Sequence, residues 1–589
     1  MEAGNYEIRG TLRIFGSGVV LRGVGDGADP LNNTILTGVG NAPAARTIIE
    51  AGGLALADWT AQAPGTLSPI TSDFVPAGAR TLEIGAPELY NTGDEVIIFH
   101  PSTPAWLASI GNGATAGDAP WAPGEIDIFY KRTITKVNLA NNKVTLDVPI
   151  YDHLDRSLAT AQIYTLAEAD IRTNIGIENL RIVIETAGEF DEAHARNAIE
   201  LIGVEDCWLS GVTGLHFTYA MVDMTVASRV TVQDCKALEP HSLIDGGRRY
   251  NFAVNRKSNN ILFTNCVASE GRHSFVSNGT SSVSGIVWHN SSSDGDYSTS
   301  EGHRRWTQAM LFDHIIFTNP NVNRLMGLYS RGSFGTGHGW SATHSVAWNI
   351  KMPNGTTNVI QRPPNRQNYG IACDGFVTGQ GPFSQPTGYI EDSNNEPAIT
   401  SLYTTQLANR LENGVPPDAP ARFTVEVVDE EVQFSWLDIA DDESGYVIEF
   451  STDGISFELL IELAADETNY TVPATSFPNQ AIYLRMYANS TTSCPSAFTY
   501  TAIIDPLVNT QNLIASTIDI FPNPVIDVLD IQAGNEVVSQ LQLFGLDGKI
   551  TTPTFTNHKI NVSELAPGIY FIQIETKSGK RFVKKFVKS

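Results

Sequence analysis

The chain has 589 residues, of which 42% are hydrophobic, and a formal net charge of −26. No stretch reaches the roughly 20 apolar residues of a membrane helix, so we expect no membrane-spanning segment. The acidic total argues against nucleic acid as a partner, and the 50 glycines favour turns and β structure over helices.

A short repeat organises the first two-thirds of the chain. Tyr6-Glu-Ile-Arg-Gly-Thr-Leu-Arg-Ile gives a first strand-like unit, and from about Ile175 a polar pair, often containing Asn, precedes an alternating apolar strand. The steps between the proposed equivalent residues are 31, 25, 29 and 31, which fits one rung of a three-sided parallel β-solenoid. The residues taken as equivalent are Val230, Ile261, Ile286, Ile315 and Val346.

Three of the five cysteines fall inside this repeat. Cys207, Cys235 and Cys266 follow similar apolar runs, and five cysteines are too few for a disulfide scaffold. We expect stacked buried thiols, with a disulfide bridge or a metal site as the alternative.

Residues from about 56 to 169 interrupt the repeat. Three segments there, beginning at Gly93, Lys131 and Asn142, have the alternation of antiparallel strands, with Asn141-Asn142 at a turn. This pattern predicts a small β subdomain inserted into the solenoid, on the face where such insertions collect.

The character of the chain changes after Gly414. Val415-Pro-Pro-Asp-Ala-Pro is a stiff linker, and Phe434-Ser-Trp, Tyr446-Val-Ile-Glu-Phe and Ala481-Ile-Tyr-Leu-Arg-Met-Tyr follow as strands. Residues 415–506 resemble a fibronectin type III module, which implies a β-sandwich spacer. Glycan binding by this module is the alternative.

The C-terminal 72 residues carry four blocks in order. These are Ile518-Asp-Ile-Phe-Pro-Asn-Pro, Leu543-Phe-Gly-Leu-Asp-Gly-Lys, Leu565-Ala-Pro-Gly-Ile-Tyr-Phe and Gly579-Lys-Arg-Phe-Val-Lys-Lys. Residues 518–589 resemble the C-terminal sorting domain of the type IX secretion system of Bacteroidetes, a small β-sandwich. The resemblance implies export by that machinery, followed by release or surface attachment with the domain removed.

Residues 1–414 resemble the pectate-lyase-like right-handed parallel β-helix superfamily, through their repeat length and Asn-containing turns. The chain is therefore predicted to be all-β. Polysaccharide lyases, glycoside hydrolases, epimerases, esterases and phage adhesins share this fold, so the activity has to be argued from side chains.

The basic strip, residues 240–340, stands out from this acidic chain. It holds six of the twelve histidines, and nine Lys/Arg against six Asp/Glu leave it at +3. Cys235 and Cys266 precede His241 and His273 by six and seven residues, so we expect the two histidines to form a column on one face. Such a surface fits an acidic polysaccharide, and we expect the protein to act on it as a monomer.

β-Elimination from a uronate needs cations to neutralise the carboxylate, a base to remove the neighbouring proton and an acid for the departing oxygen. We predict His273 or His303 as the base and Arg272, Arg304 and Arg305 as carboxylate ligands. The proton donor is expected among Tyr297, Tyr329 and His241. The other predicted binding residues are Arg248, Arg249, Tyr250, Glu301, Trp306, Arg324, Arg331 and His338. His216, His289 and His314 lie in strand-like runs and are expected to be structural.

Three functions stay open at this stage: the lyase, a glycoside hydrolase and a non-catalytic adhesin. Gly337-His-Gly339 is similar to the Gly-His-Gly of polygalacturonase-like hydrolases, but the other blocks of that family are missing. A non-catalytic polysaccharide adhesin is the third reading. No cofactor is identified, although Asp294, Asp296 and Glu301 could bind Ca²⁺, as in some β-helix lyases, or form a solvated acidic turn.

Overall fold

The computed structural model describes residues 1–41, 45–53, 59–114, 120–167, 170–279, 283–478 and 482–504, and in the tail 519–521, 525, 527–532, 538–545, 550–551, 553, 555–556, 559–565, 568–577 and 581–588. The predicted boundaries at 56, 169, 506 and 518 lie outside these ranges, as do parts of the tail motifs, including 522–524 and 546–549. The chain packs as two units, Met1–Glu412 and Asn413–Ser589. Nearly all the regular structure is β.

The first unit begins with five strands of a parallel sheet. Alternating side chains of β1 are half-buried and exposed, as expected of a terminal strand with one face on the core. The strands are β1 (Gly4–Ile8), β2 (Leu12–Ile14), β3 (Val20–Arg22), β4 (Thr34–Gly38) and β5 (Thr47–Gly52).

An antiparallel subdomain then interrupts the parallel sheet. The segments predicted as antiparallel strands are β9, β10 and β11, and β10 pairs antiparallel with both of the others. Asn141 and Asn142 form the predicted turn between β10 and β11. The strands are β6 (Ser68–Pro69), β7 (Phe74–Val75), β8 (Thr81–Glu83), β9 (Glu95–His100), β10 (Ile128–Asn138), β11 (Lys143–Leu146), β12 (Leu154–Asp155) and β13 (Gln162–Thr165), with helix α1 (Pro104–Ser109) and 3-10 turns at Pro87–Leu89 and Gly111–Gly113.

The parallel sheet resumes after the subdomain and continues to residue 391. Its strands are β14 (Arg172–Thr173), β15 (Gly176–Ile184), β16 (Asn197–Leu215), β17 (Ala220–Gln233), β18 (Lys236–Leu238), β19 (Phe252–Val254), β20 (Asn259–Thr264), β21 (Val267–Ser269), β22 (Phe275–Ser277), β23 (Ser284–Asp294), β24 (Ser300–Gly302), β25 (Thr307–Thr318), β26 (Arg324–Leu328), β27 (Ala342–Thr343), β28 (Val346–Trp348), β29 (Thr357–Ile360), β30 (Tyr369–Ile371), β31 (Phe376–Thr378) and β32 (Tyr389–Glu391). Helix α2 (Phe334–Gly337) lies within this region, and α3 (Leu402–Asn413) follows it.

Parallel pairing arranges these strands in three ladders. Ladder A holds β5, the first part of β16 and of β17, then β19, β22, β24, β26, β29 and β31. Ladder B contains the second part of β17, then β20, the first parts of β23 and β25, and β28, β30 and β32. Ladder C contains β18, β21 and the ends of β23 and β25. The chain therefore coils through three parallel ladders around one apolar core.

The register corrects two of the five predicted anchors. Val230, Ile261 and Ile286 pair in succession, but the next partner is Met310, whereas Ile315 pairs with Ser291 in ladder C. Val346 pairs with Leu311. The prediction failed there because β25 runs through two ladders without a break, so its two apolar stretches look alike in sequence.

A column of left-handed residues forms the corner between ladders B and C. Asp234, Asn265, Asn290, His314 and Asn349 all have positive φ, between 46° and 57°. Asn and Asp tolerate this conformation better than most residues. Neighbouring amides also bond along the column, with Asn290 Nδ2 donating to Asn265 Oδ1 at 2.7 Å. The polar pair of the repeat lies at the other end of ladder B, where Arg229 and Asn260 also have positive φ.

The predicted cysteine stack holds for two of the three residues. Cys235 and Cys266 immediately precede the paired residues Lys236 and Val267, so they occupy equivalent positions in ladder C. Cys207 instead pairs with Val230 in ladder B. All three are buried free thiols.

Two sheets form the first part of the second unit, with orders β33-β34-β37 and β36-β35-β38-β39. Phe434 and Trp436 from one sheet and Tyr446, Ile448 and Leu484 from the other share one buried core, so the region is a β-sandwich. The strands are β33 (Ala421–Val428), β34 (Glu431–Leu437), β35 (Gly445–Ser451), β36 (Glu458–Ala464), β37 (Asn469–Pro473), β38 (Ile482–Asn489) and β39 (Thr499–Ile504), with a 3-10 turn at Ala474–Ser476.

A second, smaller sandwich occupies the C-terminal part. Its sheets have orders β40-β41-β45-β44 and β43-β42-β46-β47, and Leu529, Leu541, Ile572 and Phe586 lie in the shared core. Among the helices in the described ranges, none is both long and apolar enough to cross a bilayer. The strands are β40 (Asp519–Phe521), β41 (Val528–Gln532), β42 (Val538–Gly545), β43 (Ile550–Thr551), β44 (Phe555–Thr556), β45 (Lys559–Asn561), β46 (Gly568–Thr576) and β47 (Arg581–Lys588).

Candidate functional site

Eight of the predicted site residues meet beside ladder A. They come from four successive turns of the coil, because each lies within or beside a ladder A strand (β19, β22, β24 or β26) or in the loop that follows it. We call this group the His–Glu–Arg cluster. Its members are Tyr250, Arg272, His273, Glu301, His303, Tyr329, Arg331 and His338.

Glu301 is the centre of the cluster. Its side chain is fully buried, and it accepts a hydrogen bond from the Tyr329 hydroxyl at 2.6 Å and another from Thr299 Oγ1. Arg331 forms an ion pair with its Oε1. A buried carboxylate is costly unless it is paired and hydrogen-bonded, so these partners hold Glu301 in its ionised form.

His303 is oriented by Glu301. Its Nδ1 lies 2.8 Å from Glu301 Oε1, and we assign the proton to Nδ1 because the carboxylate is the strongest acceptor in reach. The Arg331 guanidinium lies 2.6 Å from the same nitrogen, so both donors converge on one carboxylate oxygen. This tautomer leaves a lone pair on His303 Nε2.

The free nitrogen of His303 faces Tyr250. The Tyr250 hydroxyl lies 3.3 Å from His303 Nε2 and accepts hydrogen bonds from Arg272 Nη1 at 3.1 Å and from the Gly247 amide at 3.4 Å. A continuous line of hydrogen bonds therefore runs from Glu301 through His303 and Tyr250 to Arg272.

His273 lies beside this line. Its Nδ1 donates to the Thr299 carbonyl, and its Nε2 accepts from Arg272 Nη1 at 3.1 Å. Its ring centroid is 4.7 Å from that of His303 and 5.0 Å from that of Tyr250. The donor to His273 Nε2 is a charged guanidinium, which opposes protonation of that ring, whereas a neutral hydroxyl faces His303 Nε2.

Burial keeps the imidazoles of the cluster neutral. His273 is 1% exposed and His303 is 6% exposed. Burial, followed by the charges of Arg272 and Arg304, lowers the pKa of His303 to about 3. Burial and the neighbouring His303 lower the pKa of His338 to about 3 as well. At neutral pH these rings can accept protons but carry no charge of their own.

Positive charge in the cluster comes from arginine. His273, Glu301 and His303 lie close enough to hold a metal ion, but the Arg331 guanidinium already lies against both Glu301 and His303. The predicted Ca²⁺ ligands do not meet. Asp294 accepts from Thr318 and Asn319, and Asp296 is buried against Ser274, while Glu301 lies within the cluster.

His241 and its neighbours lie elsewhere. The His241 ring stacks on the His216 ring, with the two centroids 4.2 Å apart. The backbone amide of His273 instead donates to the Arg249 carbonyl. The expected column of His241 and His273 is absent because the turn at 239–251 is several residues longer than the turn at 270–274. Arg248 pairs with Glu192.

Arg249 and Tyr297 lie against each other. Arg249 is fully buried, donates to the Ser242 carbonyl and lies 5.7 Å from the centre of the Tyr297 ring. It is thus unavailable to a substrate, contrary to the predicted binding role, whereas the half-buried Tyr297 stays at the surface.

Trp306 and Arg305 connect the coil to the inserted subdomain. Trp306 is fully buried, donates through Nε1 to Asp152 at 2.9 Å and lies edge-on to Trp106. No face of its ring is left for the predicted sugar stacking. Arg305 pairs with Glu125 and donates to the Thr336 carbonyl.

Two predicted arginines lie near the cluster with part of their surface open. Arg304 is half-buried, and its charge lowers the pKa values of His303 and His338. Arg324 lines an open surface cleft with Thr357, Phe376, Thr378 and Gln380, and it also contacts the Tyr329 hydroxyl.

Sequence reasoning missed a row of polar residues on ladder A. Three residues each directly follow a ladder A strand, and their backbone amides donate hydrogen bonds to the preceding turn of the coil at 2.7–2.8 Å. They are Asn255, Asn278 and His303. The signal was present in the sequence, because Phe252-Ala-Val-Asn255 and Phe275-Val-Ser-Asn278 align in the register. Beyond this row lies Asp223, buried, which pairs in register with Glu200.

One family model matches the chain, that of the secretion system C-terminal sorting domain, at residues 519–589. This confirms the predicted type IX sorting domain. The protein is accordingly exported, to be secreted or held at the cell surface, and the type IX machinery is a partner.

Comparisons of the whole chain give only remote likenesses, and no curated protein matches its sequence. The tailspike protein gp49 from Pseudomonas phage LKA1 is 11% identical, with a TM-score of 0.36 over 80% of this chain and 88% of that one. The Gp54 tailspike of Acinetobacter baumannii bacteriophage AP22, solved with a capsular saccharide, is 9% identical, with a TM-score of 0.26 over 83% and 90%. Both TM-scores are below 0.5, so neither likeness carries an argument here.

Proposed function

We propose that this exported protein is a polysaccharide lyase that cleaves a uronate-containing polymer by β-elimination. The observation that carries the proposal is the hydrogen-bonded line from Glu301 through His303 and Tyr250 to Arg272. It supplies a neutral base, a proton donor and a cation within one cluster, which are the three groups that the reaction needs.

Each group has a defined step. Arg272 binds the uronate carboxylate, which makes the hydrogen on the adjacent ring carbon acidic. His303 Nε2 takes that proton, and Glu301 stabilises the resulting imidazolium. The C–H electron pair forms the ring double bond as the glycosidic C–O bond breaks. Tyr250 gives its proton to the departing oxygen and then recovers one from His303, so one proton moves from carbon to oxygen overall.

Access requires movement of the loop at 243–247. Tyr250 is 2% exposed, and the Gly247 amide is bonded to its hydroxyl. The loop itself is exposed, including Leu243 and Ile244, and it has few contacts to lose. We therefore propose that the polymer displaces this loop when it binds.

The finer fold and domain assignments are part of the same proposal. A right-handed coil is expected because parallel strands joined by a crossover are right-handed in about 98% of cases. The boundaries 1–414, 415–506 and 518–589, with a fibronectin type III-like module in the middle, are consistent with two sandwiches following the coil.

One observation favours hydrolysis as a second candidate. Burial, with a smaller contribution from Glu200, raises the pKa of Asp223 to about 7, and Glu200 is its neighbour on the adjacent strand. A protonated and an ionised carboxyl group side by side are what glycoside hydrolases use. A hydrolase would release reducing ends without a product that absorbs in the ultraviolet, and it would lose activity in Asp223→Asn.

The test of the lyase is Tyr250→Phe, which removes one hydroxyl oxygen from the line. We expect kcat to fall by about 10²–10⁴-fold, the usual contribution of a positioned acid, with unchanged far-UV circular dichroism. The readout is the absorbance of the unsaturated uronate product on acidic polysaccharides.

Tyr369→Phe is the matched control, because Tyr369 is a half-buried tyrosine of ladder B in β30. It should keep wild-type kcat. Wild-type turnover in folded Tyr250→Phe would refute the assignment of Tyr250, and a protein that binds the polymer without cleaving it would be an adhesin.

A further inference from the structure

The amide row on ladder A leads directly to the proposed base. The backbone amide of His303 bonds to the Ser277 carbonyl, that of Asn278 to Val254 and that of Asn255 to Met224. The three side chains therefore occupy equivalent positions on consecutive turns. At a strand spacing of about 4.8 Å, Asn255 lies roughly 10 Å from His303, a distance that a disaccharide spans.

The side chains of this row are neutral and partly open. Asn255 and Asn278 are half-buried. Asn278 Nδ2 donates to the Tyr219 hydroxyl at 3.2 Å, and Asn255 Nδ2 donates to Asp223. Amides offer both donors and acceptors, which suits sugar hydroxyl groups, but they supply no charge to balance a uronate carboxylate.

Charge changes sign along the row. Arg272 and Arg304 lie beside His303, whereas Glu200 and Asp223 stand together beyond Asn255. Arg196 lies at the same end, 4.3 Å from the centre of the Tyr219 ring, and the exposed Arg256 directly follows Asn255. Among the described residues, the side chains bonded to Asn255 and Asn278 are Asp223 and Tyr219, so neither amide brings a cation to a uronate.

We infer that the polymer runs along ladder A across Asn278 and Asn255, and that the one sugar unit bound between these two residues is uncharged. This inference rests on the proposed function, because the positions along the row are given relative to the proposed base, His303. The substrate is then a heteropolysaccharide in which uronates alternate with neutral sugars, rather than a polymer of uronates alone.

The experiment compares two classes of polymer with the full chain. Polygalacturonate and alginate contain only uronates, whereas gellan and unsulfated chondroitin place uncharged sugars next to each uronate. We expect kcat/KM to be at least tenfold higher on one of the mixed polymers than on either uronate-only polymer. Equal or faster cleavage of the uronate-only polymers would overturn the inference.

Asn278→Ala tests the row itself. On the preferred mixed polymer we expect KM to rise about tenfold with kcat unchanged, because a contact remote from the reacting bond contributes equally to substrate and transition state. Asn290→Ala, at an exposed corner between ladders B and C, is the control and should keep the wild-type KM. An unchanged KM in Asn278→Ala would refute the role of the row.

Binding separates this inference from the proposed function. If none of the four polymers yields an ultraviolet-absorbing product, the lyase proposal fails, and affinity electrophoresis in gels containing each polymer decides the inference. Retardation by a mixed polymer that is lost in Asn278→Ala supports it. Retardation by uronate-only polymers alone, or by none of the four, overturns it.

Discussion

Asp223 shows how the surroundings of a buried carboxyl group can disfavour its charged form. It is almost completely buried, and its contacts to Asn197 and Asn255 only partly offset the loss of water. Burial, with a smaller contribution from Glu200 and against the opposing charge of Arg196, raises its pKa to about 7. Tyr219 also faces this carboxyl group. Ionisation of Asp223 therefore works against folding.

The pH dependence follows from that shift. The folded protein binds the Asp223 proton more tightly than the unfolded chain, whose pKa is near 3.8. The associated stability is fully present below pH 3.8 and is lost as the pH rises to about 7. Asp223→Asn removes this dependence. We expect Tm to fall less between pH 5 and pH 8 in the variant than in the wild type, as measured by calorimetry, and parallel curves would contradict this.

Residue types in the sequence indicated the cluster but not its connections. His273, Glu301 and His303 stood out because basic and imidazole side chains recur in consecutive turns. Which nitrogen faces which oxygen depends on turn lengths, and the long 239–251 turn moved His241 away. Asp223 escaped notice because an acid inside an apolar run has no distinguishing pattern until its neighbours across the ladder are known.

Among the elements, a buried carboxylate is one of the groups that join the inserted subdomain to the coil. Asp152 lies just before β12 and is fully buried. It pairs with Arg366 of the coil at 2.9 Å and accepts from Trp306, while its amide donates to the Tyr130 hydroxyl. The arginine keeps the pKa of Asp152 well below its usual range, against the opposing effect of burial.

Removing this carboxylate should destabilise the first unit. Asp152→Ala leaves the buried Arg366 guanidinium without its partner, which typically costs about 3–5 kcal/mol. The free energy of unfolding from urea denaturation is the measurement. Asp73→Ala is the matched control, because Asp73 pairs with Arg156 at the surface, where such pairs contribute about 0–1 kcal/mol. A similar small effect of both substitutions would show that Asp152 is not the connection.

Local patterns predicted the elements better than their pairing. Alternation in β9, β10 and β11 was sufficient to identify an antiparallel sheet. The coil was apparent from its period, yet one long strand, β25, shifted two anchors because period alone does not show where a strand passes from one ladder to the next. The contact between Asp152 and Arg366 joins residues 214 apart, and no local pattern encodes it.

At the scale of the whole molecule, the described residues of the sorting domain form a core of their own. The ten buried residues of that core all come from the tail. A chain ending at Thr517 should therefore keep the wild-type kcat and KM on the preferred polymer. Loss of turnover in a truncated protein whose coil remains folded would assign the tail a catalytic role.

Export also bears on the two neighbouring free thiols of ladder C. Cys235 and Cys266 are fully buried, and burial raises the pKa of Cys235 to about 12. Thiolates are the form that oxidants attack, so the closed coil shields both sulfurs in an environment that favours disulfides. An unfolded chain has no such protection. The coil must therefore fold before the chain meets an oxidant. A disulfide formed in the unfolded chain would trap a misfolded protein.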